Sequence, residues 1–210
     1  MRELIFMVNR KDSYSKSVVM SLFVGLATIL LVLTMHKSGN YTIWSIANFI
    51  GSTGNDLFLI ISNLLIIGWA QRKQLSSVIK LTLALDFLVW FCVQGIKLLK
   101  IDPWYLRPNG EVGGFPSGHA THAFGMAFLL SLFFPRFTWL WYGCAAAISW
   151  SRVETDWHTG FQVTAGVVLG IILVLGLVVR WLRHSDAAVI KQQDTVERRI
   201  IGVQQSYVAE

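Results

Sequence analysis

Residues 17–35 read SVVMSLFVGLATILLVLTM, an apolar run without a single charged side chain. A helix that crosses a bilayer needs roughly 20 mainly apolar residues, and this run has about that length. A polar, basic segment precedes it, as in a secretory signal peptide, but no small-residue cleavage pattern follows His36 and Lys37. We therefore expect the run to be retained as a first membrane-spanning helix.

The composition extends this expectation to the whole chain. Hydrophobic residues make up 54% of the 210 residues and charged residues 14%, against about a quarter charged in soluble domains. The net charge of +6 could indicate an anionic partner, yet the basic residues lie between apolar runs and no nucleic-acid-binding module is recognisable. Cys92 and Cys144 each lie within an apolar run and are predicted to be small core residues. The sequence indicates an integral membrane protein with no nucleic-acid partner.

Further apolar runs predict five more spans. Backbone polar groups inside a bilayer must pair internally, so each run is expected to be a helix. We predict an all-α, six-transmembrane-helix bundle, a single membrane domain over residues 1–210 with a polar cytoplasmic tail at 184–210. A loop or interfacial helix around Trp44 and a break at Gly51 are expected before the second span, which Asp56 would cap. The predicted spans are 17–35, 57–70, 81–96, 120–134, 137–150 and 161–179.

The basic residues are divided unequally between the two sides of this predicted bundle. The rich side holds the N-terminal segment, the loops that carry Arg72 and Arg136, and the tail. The poor side holds Lys37, Lys97, Lys100, Arg107 and Arg152. Because basic loops stay in the cytoplasm, both termini are expected there. All of the poor side's basic residues except Lys37 lie in two loops that also carry His119 and His158. Cations placed against the topology rule indicate a site for an anion.

The first of these loops runs from Lys97 to His119 and contains three of the chain's four prolines, so an irregular backbone is expected. It ends in Ser117-Gly118-His119, directly before the predicted fourth span. Free amides at a helix N-terminus favour a phosphate, and Gly118 allows the backbone to approach it closely. Ser117 is also expected to cap the helix.

The second loop carries Ser151-Arg152 and His158 between the fifth and sixth predicted spans. Arginine offers a planar fork of donors that suits phosphate oxygens. The chain thus contains three blocks in order: Lys100 followed after six residues by Arg107-Pro108, then Pro116-Ser117-Gly118-His119, then Ser151-Arg152 followed after five residues by His158. Their order and spacing resemble those of the type 2 phosphatidic acid phosphatase superfamily, over roughly residues 100–162.

This resemblance implies a membrane lipid phosphatase that uses no metal or other cofactor. His158 would be the nucleophile that forms a phosphohistidine, and His119 the general acid that protonates the leaving group. The phosphoryl oxygens would be held by Lys100, Arg107, Ser117, Gly118 and Arg152. Fixed cations and amides stabilise the charge of phosphoryl transfer. Two histidines serve because one attacks while neutral and the other donates while protonated.

The chain departs from the superfamily pattern at Gln162, where many members carry Asp four residues after the second histidine. A glutamine can orient the imidazole of His158 through its amide oxygen, but it adds no charge. We therefore predict that Gln162 is a third catalytic residue with an orienting role. Asp156 and Glu154 are the candidates for the missing negative charge.

Other polar residues receive structural interpretations. Asp86 lies within a span, where an ionisable group is a functional candidate by default, and we favour a buried hydrogen bond to Asn63 of another helix. His122 shares a helix face with His119 but has no counterpart in the superfamily blocks, so we interpret it as a packed or interfacial histidine. Trp157, near a predicted span end, is expected to anchor at the lipid headgroups.

The sequence therefore predicts a lipid phosphate or diphosphate phosphatase whose site opens at the periplasmic or extracellular face of a bacterial inner membrane. Phosphatidic acid, phosphatidylglycerol phosphate, a polyprenyl diphosphate and lipid A phosphate all fit as substrates, and membrane lipids are the expected partners. Two alternatives stay open: a lipid phosphotransferase with the same phosphoenzyme, and a catalytically silent protein that binds or transports lipid phosphates. The oligomeric state is open as well.

Overall fold

The computed structural model of the protein describes residues 11–208, with side chains described at residues 12–184 and 187. Several basic residues that the predicted orientation uses lie outside these described side chains: Arg2, Arg10, Lys11, Lys191, Arg198 and Arg199. The orientation of the bundle in the membrane therefore stays a prediction.

Seven α-helices follow one another within the described residues. They are α1 (Lys11–Thr34), α2 (Tyr41–Phe49), α3 (Asn55–Lys73), α4 (Ser76–Leu98), α5 (Gly118–Phe133), α6 (Thr138–Glu154) and α7 (Gly160–Val208). A short 3-10 turn, Pro135–Phe137, joins α5 to α6. Extended pairing within residues 11–208 is limited to an isolated bridge between Leu106 and Val112 in the loop between α4 and α5. The described part of the chain is thus all-α, as predicted.

The predicted break before the second span is not a loop. Ile50–Gly54 form a π-helical turn that joins α2 to α3, so residues 41–73 make one helical stretch. Asp56 therefore does not cap a helix that begins after a loop. Gly54, which precedes α3, has itself a helical backbone conformation. The prediction of a cap was wrong because the helical backbone continues through this point. π-helical turns occur often at functional sites, and this one contacts Arg152, as described below.

Four helical stretches are long and apolar enough to cross a bilayer: Asp12–Thr34, Tyr41–Lys73, Ser76–Leu98 and Gly160–His184. Many large apolar side chains on their outer faces are exposed, among them Leu26, Leu64 and Phe87. An exposed apolar surface of this extent indicates contact with lipid, and the protein is a multi-pass membrane protein. Helices α5 and α6 have 16 and 17 residues, shorter than the roughly 20 that a span needs.

Helix α5 is the centre of the bundle. It packs against each of the other long helices, α1, α3, α4, α6 and α7. Every residue of α5 is buried except Gly118, His119 and His122. The apolar run that follows His119 therefore forms the core, and it fixes the first turn of α5 at one end of the bundle.

Close packing of α7 on α5 depends on two glycines one helical turn apart. A Cβ at Gly166 would lie 2.4 Å from the carbonyl oxygen of Ser117, and a Cβ at Gly170 would lie 2.3 Å from that of Thr121. Small residues four apart allow helix backbones in membranes to approach in this way. This contact brings the beginning of α7, which follows His158, alongside the beginning of α5, which carries His119.

The polar residues within the helices pair differently from the prediction. Asp86 of α4 does not meet Asn63: its Oδ1 atom lies 2.5 Å from Nε2 of His122 on α5, while the amide of Asn63 donates to the carbonyl of Leu59 in its own helix. The register between α4 and α5 decides the pairing, because the two helices pack antiparallel with Leu85 of α4 beside Gly125 of α5. His122 thus has a side-chain partner on the neighbouring helix α4.

Candidate active site

The two histidine-bearing segments are joined by a backbone hydrogen bond. The amide of Ser117, just before α5, donates to the carbonyl of Gln162 in the first turn of α7 at 3.0 Å. The beginning of α7 is also pressed against the end of α1, since a Cβ at Gly160 would lie 2.2 Å from the carbonyl oxygen of Val32. These backbone contacts fix His119 and His158 at the same end of the bundle.

His158 is almost fully buried, at 2% exposure, and a backbone group orients its ring. Its Nδ1 atom lies 2.8 Å from the carbonyl oxygen of Gly114, and its own amide donates to the carbonyl of Arg152 at 3.0 Å. A carbonyl oxygen only accepts, so Nδ1 carries the hydrogen. In the neutral ring the lone pair is therefore on Nε2, which is the arrangement that a nucleophile needs.

Gln162 does not have the predicted orienting contact with His158. Its Nε2 atom donates to the carbonyls of Trp104 at 2.7 Å and Leu106 at 2.8 Å. Its Oε1 atom accepts from the amide of Thr159 at 2.9 Å. The expected role was wrong because both ends of the amide satisfy backbone groups. Gln162, fully buried, instead fastens the loop between α4 and α5 to the beginning of α7.

Asp156 and Glu154 do not supply a negative charge to His158 either. Asp156 forms an ion pair with Lys37, and Glu154 accepts from the hydroxyl and the amide of Ser38 at 2.6 and 3.0 Å. Both carboxylates hold the segment between α1 and α2 against the end of α6. Neither is among the charges that act on His158.

Arg107 and Arg152 are each held at one edge of the guanidinium group. Nη1 of Arg107 donates to Glu111 at 2.6 Å, and Nη1 of Arg152 donates to the carbonyl of Gly51 at 2.8 Å. Gly51 belongs to the π-helical turn, and a Cβ there would lie 3.2 Å from Nη1 of Arg152. Arginine forks held in this way are preorganised for an anion.

Three buried donors at this end of the bundle have no hydrogen-bond partner among the described residues. They are Nε of Arg107, Nε of Arg152 and the hydroxyl of Ser117. Leaving a buried donor unpaired costs about 1–3 kcal/mol. A phosphate carries several acceptor oxygens, which are the partners that such donors need. The predicted cap bond of Ser117 is not formed, so its hydroxyl is free for such a ligand.

Burial and nearby cations disfavour the protonated form of both histidines. Burial, followed by the charges of Arg152 and Arg107, holds the pKa of His158 well below its ordinary value of 6.5. Burial and then Arg152 lower the pKa of His119 to about 4, and the charge of Asp56 partly opposes that shift. Asp56 is therefore a further charged residue near the site, which the sequence interpretation had taken for a helix cap.

The sequence interpretation missed Lys97, whose charge acts on both histidines. The role of Lys100 in holding phosphoryl oxygens stays a prediction. Lys100 is exposed, in a left-handed backbone conformation with φ of 46°. Lys97 is half-buried in the last turn of α4, its stem lies beside Gly113, and its charge lowers the pKa of His119 and of His158. Helical spacing was the signal for Lys97, because Asp86, Val93 and Lys97 lie on the face of α4 that meets α5.

Gly118 begins α5 as predicted, and a Cβ there would lie 3.3 Å from Val93 of α4. Among the described residues, no group of three or more His, Cys, Asp or Glu side chains is arranged to hold a metal ion. The ligands that this site offers are cations and N–H or O–H donors, which suit an anion.

Fold and site together define a multi-pass, all-helical membrane protein with two histidines, the buried Arg152 and the partly buried Arg107 at one end of the bundle. Residues 93–186 match the PAP2 superfamily, the type 2 phosphatidic acid phosphatases that the motifs resemble. Over 61 residues the chain is 38% identical to the bacitracin transport permease protein BcrC of Bacillus licheniformis, a match that covers 29% of this chain and 30% of that relative. The chain thus aligns with less than a third of the relative's length. No solved structure matches the chain.

Proposed function

We propose that the protein is an integral membrane lipid phosphatase that acts through a phosphohistidine at His158. The superfamily match over residues 93–186 supports a lipid phosphatase in general. The observation that carries the specific proposal is the orientation of His158: Nδ1 is held by Gly114, which leaves Nε2 as the free nucleophilic atom. The unpaired donors of Arg107, Arg152 and Ser117 would bind the phosphoryl oxygens.

In the first step, Nε2 of His158 attacks the phosphorus of a lipid phosphate ester. The P–N bond forms while the bond from phosphorus to the lipid oxygen breaks, and the cations stabilise the negative charge on the phosphoryl oxygens. The leaving oxygen takes a proton from His119. Neutral His158 is ready for attack at physiological pH because its pKa lies well below 6.5.

His119 must be protonated to act as the acid, although burial and the neighbouring cations lower its pKa to about 4. A bound phosphate would offset the charges of Arg152, Lys97 and Arg107, and its own negative charge would raise the pKa of His119. Substrate binding thereby favours the protonated form of His119, which can then act as the acid. In the second step, neutral His119 takes a proton from water, the water oxygen attacks phosphorus, the P–N bond breaks, and inorganic phosphate leaves.

The site is proposed to lie at the non-cytoplasmic face of a bacterial inner membrane, with both termini in the cytoplasm. The unequal division of basic residues between the loops supports this orientation. In this arrangement α5 and α6 complete six spans as short helices beside the four longer stretches. The substrate class is a lipid phosphate or lipid diphosphate.

The test is a phosphate-release assay in detergent with a panel of lipid phosphates and diphosphates. We expect His158→Ala to abolish release and to abolish labelling of the protein by a substrate with a radioactive terminal phosphate. The matched control is His184→Ala, because His184 is exposed at the far end of the bundle, and this variant should keep wild-type turnover.

Three outcomes separate the candidate functions. Acid-labile labelling that depends on His158, together with free phosphate, supports the proposed hydrolase. Label that appears in a second lipid and not in free phosphate would replace it with a lipid phosphotransferase. Unchanged turnover in His158→Ala would overturn the assignment of the nucleophile.

A further inference from the structure

The indole ring of Trp157 contacts two arginine side chains. The Cζ atoms of Arg107 and Arg152 each lie 5.1 Å from the centroid of this ring. The two arginines come from different segments, one from the loop between α4 and α5 and the other from the last turn of α6. A cation within about 6 Å of an indole centroid is attracted by the charge distribution of the ring. One ring therefore attracts two cations that repel each other.

Trp157 itself stands on a fixed backbone. The amide of the next residue, His158, donates to the carbonyl of Arg152 at 3.0 Å, which closes the turn that contains the tryptophan. The preceding residue, Asp156, has a φ of 61° and is tied to Lys37 by an ion pair. The ring is thus carried by a segment that is held on both sides.

The contacts of the two guanidinium groups occupy one terminal nitrogen of each. Nη1 of Arg107 is taken by Glu111 and Nη1 of Arg152 by the carbonyl of Gly51, and the indole contacts both groups. Nε of each arginine is buried without a hydrogen-bond partner among the described residues. An aromatic ring suits this purpose better than a carboxylate, because it attracts guanidinium groups without accepting the N–H donors that a phosphate needs.

We propose that Trp157 is a positioning residue that holds Arg107 and Arg152 together so that both present a free Nε–H group to one phosphoryl group. This inference rests on the proposed function, since it assumes that the site binds phosphate. It also replaces the interpretation of Trp157 as a headgroup anchor. The ring acts through the arginines and does not itself touch the substrate.

The experiment compares binding of orthovanadate and inorganic phosphate to purified full-length protein in detergent, by isothermal titration calorimetry. Trp157→Leu removes the aromatic ring and should bind both anions about tenfold more weakly. Trp157→Phe keeps an aromatic face and should stay within about threefold of the wild type. The matched control is Trp139→Leu, because Trp139 is 68% exposed in the first turn of α6, at the opposite end from Arg152.

A second measurement separates ring electronics from shape. Fluorinated tryptophans introduced at position 157 alone weaken the attraction of the ring for cations while changing its size little. Anion affinity should fall stepwise with each added fluorine, and a double-mutant cycle should show that Trp157→Leu costs less in the Arg107→Gln background. This series stays informative even if Trp157→Leu fails to fold.

The outcomes separate the positioning role of Trp157 from the proposed phosphatase activity. Affinity that does not depend on fluorination, or equal affinity of the Leu variant and the wild type, would overturn the role of Trp157 and leave the phosphatase intact. If the wild-type protein binds neither orthovanadate nor phosphate, both the proposed function and the positioning role are overturned.

Discussion

The Nδ1 atom of His158 and the carbonyl oxygen of Gly114 lie 2.8 Å apart, so a backbone group holds the imidazole in the orientation that the proposed reaction needs. The loop that supplies this carbonyl is itself fastened, since the amide of Gly114 donates to the carbonyl of Tyr105 at 2.8 Å. A carbonyl fixes the tautomer without adding a charge. The attacking ring therefore depends on the exact path of a loop, and substitutions that shift the loop should act on catalysis.

Gly114→Ala is the most direct way to move that carbonyl. A Cβ at this position would lie 2.3 Å from Nε2 and 2.9 Å from Cδ of Gln162, so either the loop or the glutamine must shift. We expect kcat to fall at least about tenfold, which corresponds to about 1.4 kcal/mol in the activation barrier. Steady-state phosphate release measures the effect. Gly143→Ala is the matched control, because a Cβ there meets no atom within 4 Å.

Removal of the Gln162 amide should destabilise the protein as well as slow it. Gln162→Ala deletes the hydrogen bonds to the carbonyls of Trp104 and Leu106 and the one from the amide of Thr159, a loss of about 2–4 kcal/mol in the free energy of unfolding. Because the loop also carries Arg107, KM should rise together with the fall in kcat. Thermal unfolding in detergent and steady-state kinetics measure both effects. Gln162→Asp should not rescue activity, and an Asp variant faster than the wild type would contradict orientation by Gly114.

The stability of the ligand-free protein should depend on pH because His119 and His158 are held neutral. Their folded-state pKa values lie below the ordinary value of 6.5, that of His119 at about 4. Below pH 6.5 the unfolded chain binds protons that the folded chain excludes, so the stability present above 6.5 is lost as the pH falls toward 4. We expect the unfolding temperature to fall by several degrees over this range. A flat profile would contradict the buried, neutral histidines.

Phosphate binding should carry a proton to His119. The anion offsets the cations around this ring, so the pKa of His119 rises on binding and its ring takes up protons at pH 6–7 beyond those exchanged by phosphate itself. Calorimetry in buffers of different ionisation enthalpy measures this uptake. In Asp56→Asn the negative charge that raises the pKa of His119 is absent, so proton uptake should decrease at the same pH. Equal proton uptake by this variant and the wild type would show that the charge of Asp56 does not act on His119.

The motif spacing could predict which residue types meet, but not every contact among them. His119 and Arg152 were identified because their blocks carry the chemistry in their side chains. The carbonyl of Gly114 has no such signature, since any residue supplies a carbonyl and its direction depends on the loop path. The pairing of Asp86 with His122 was missed for a related reason: it depends on the register of two packed helices, which one sequence does not specify.

The motif spacing and the helix geometry indicate different lysines for the site, Lys100 and Lys97. The motif spacing selects Lys100, which lies after the end of α4 at Leu98 and is exposed. Lys97 is still within the helix, and its stem packs beside Gly113, the neighbour of the residue that orients His158. We therefore expect Lys97→Met, which removes the charge and keeps the stem, to raise KM about tenfold or more, as loss of a charged phosphate contact does.

Lys100→Met is the matched variant, since it removes the same charge three residues later. It should leave kcat/KM within about twofold of the wild type, because an exposed cation at this distance is screened by solvent and salt. Raising the salt concentration should shrink any residual effect of Lys100→Met and leave the Lys97→Met defect in place. A larger defect in Lys100→Met than in Lys97→Met would show that Lys100, the lysine of the motif, contacts the phosphate. The loop that carries Lys100 would then have to move over the site when the substrate binds.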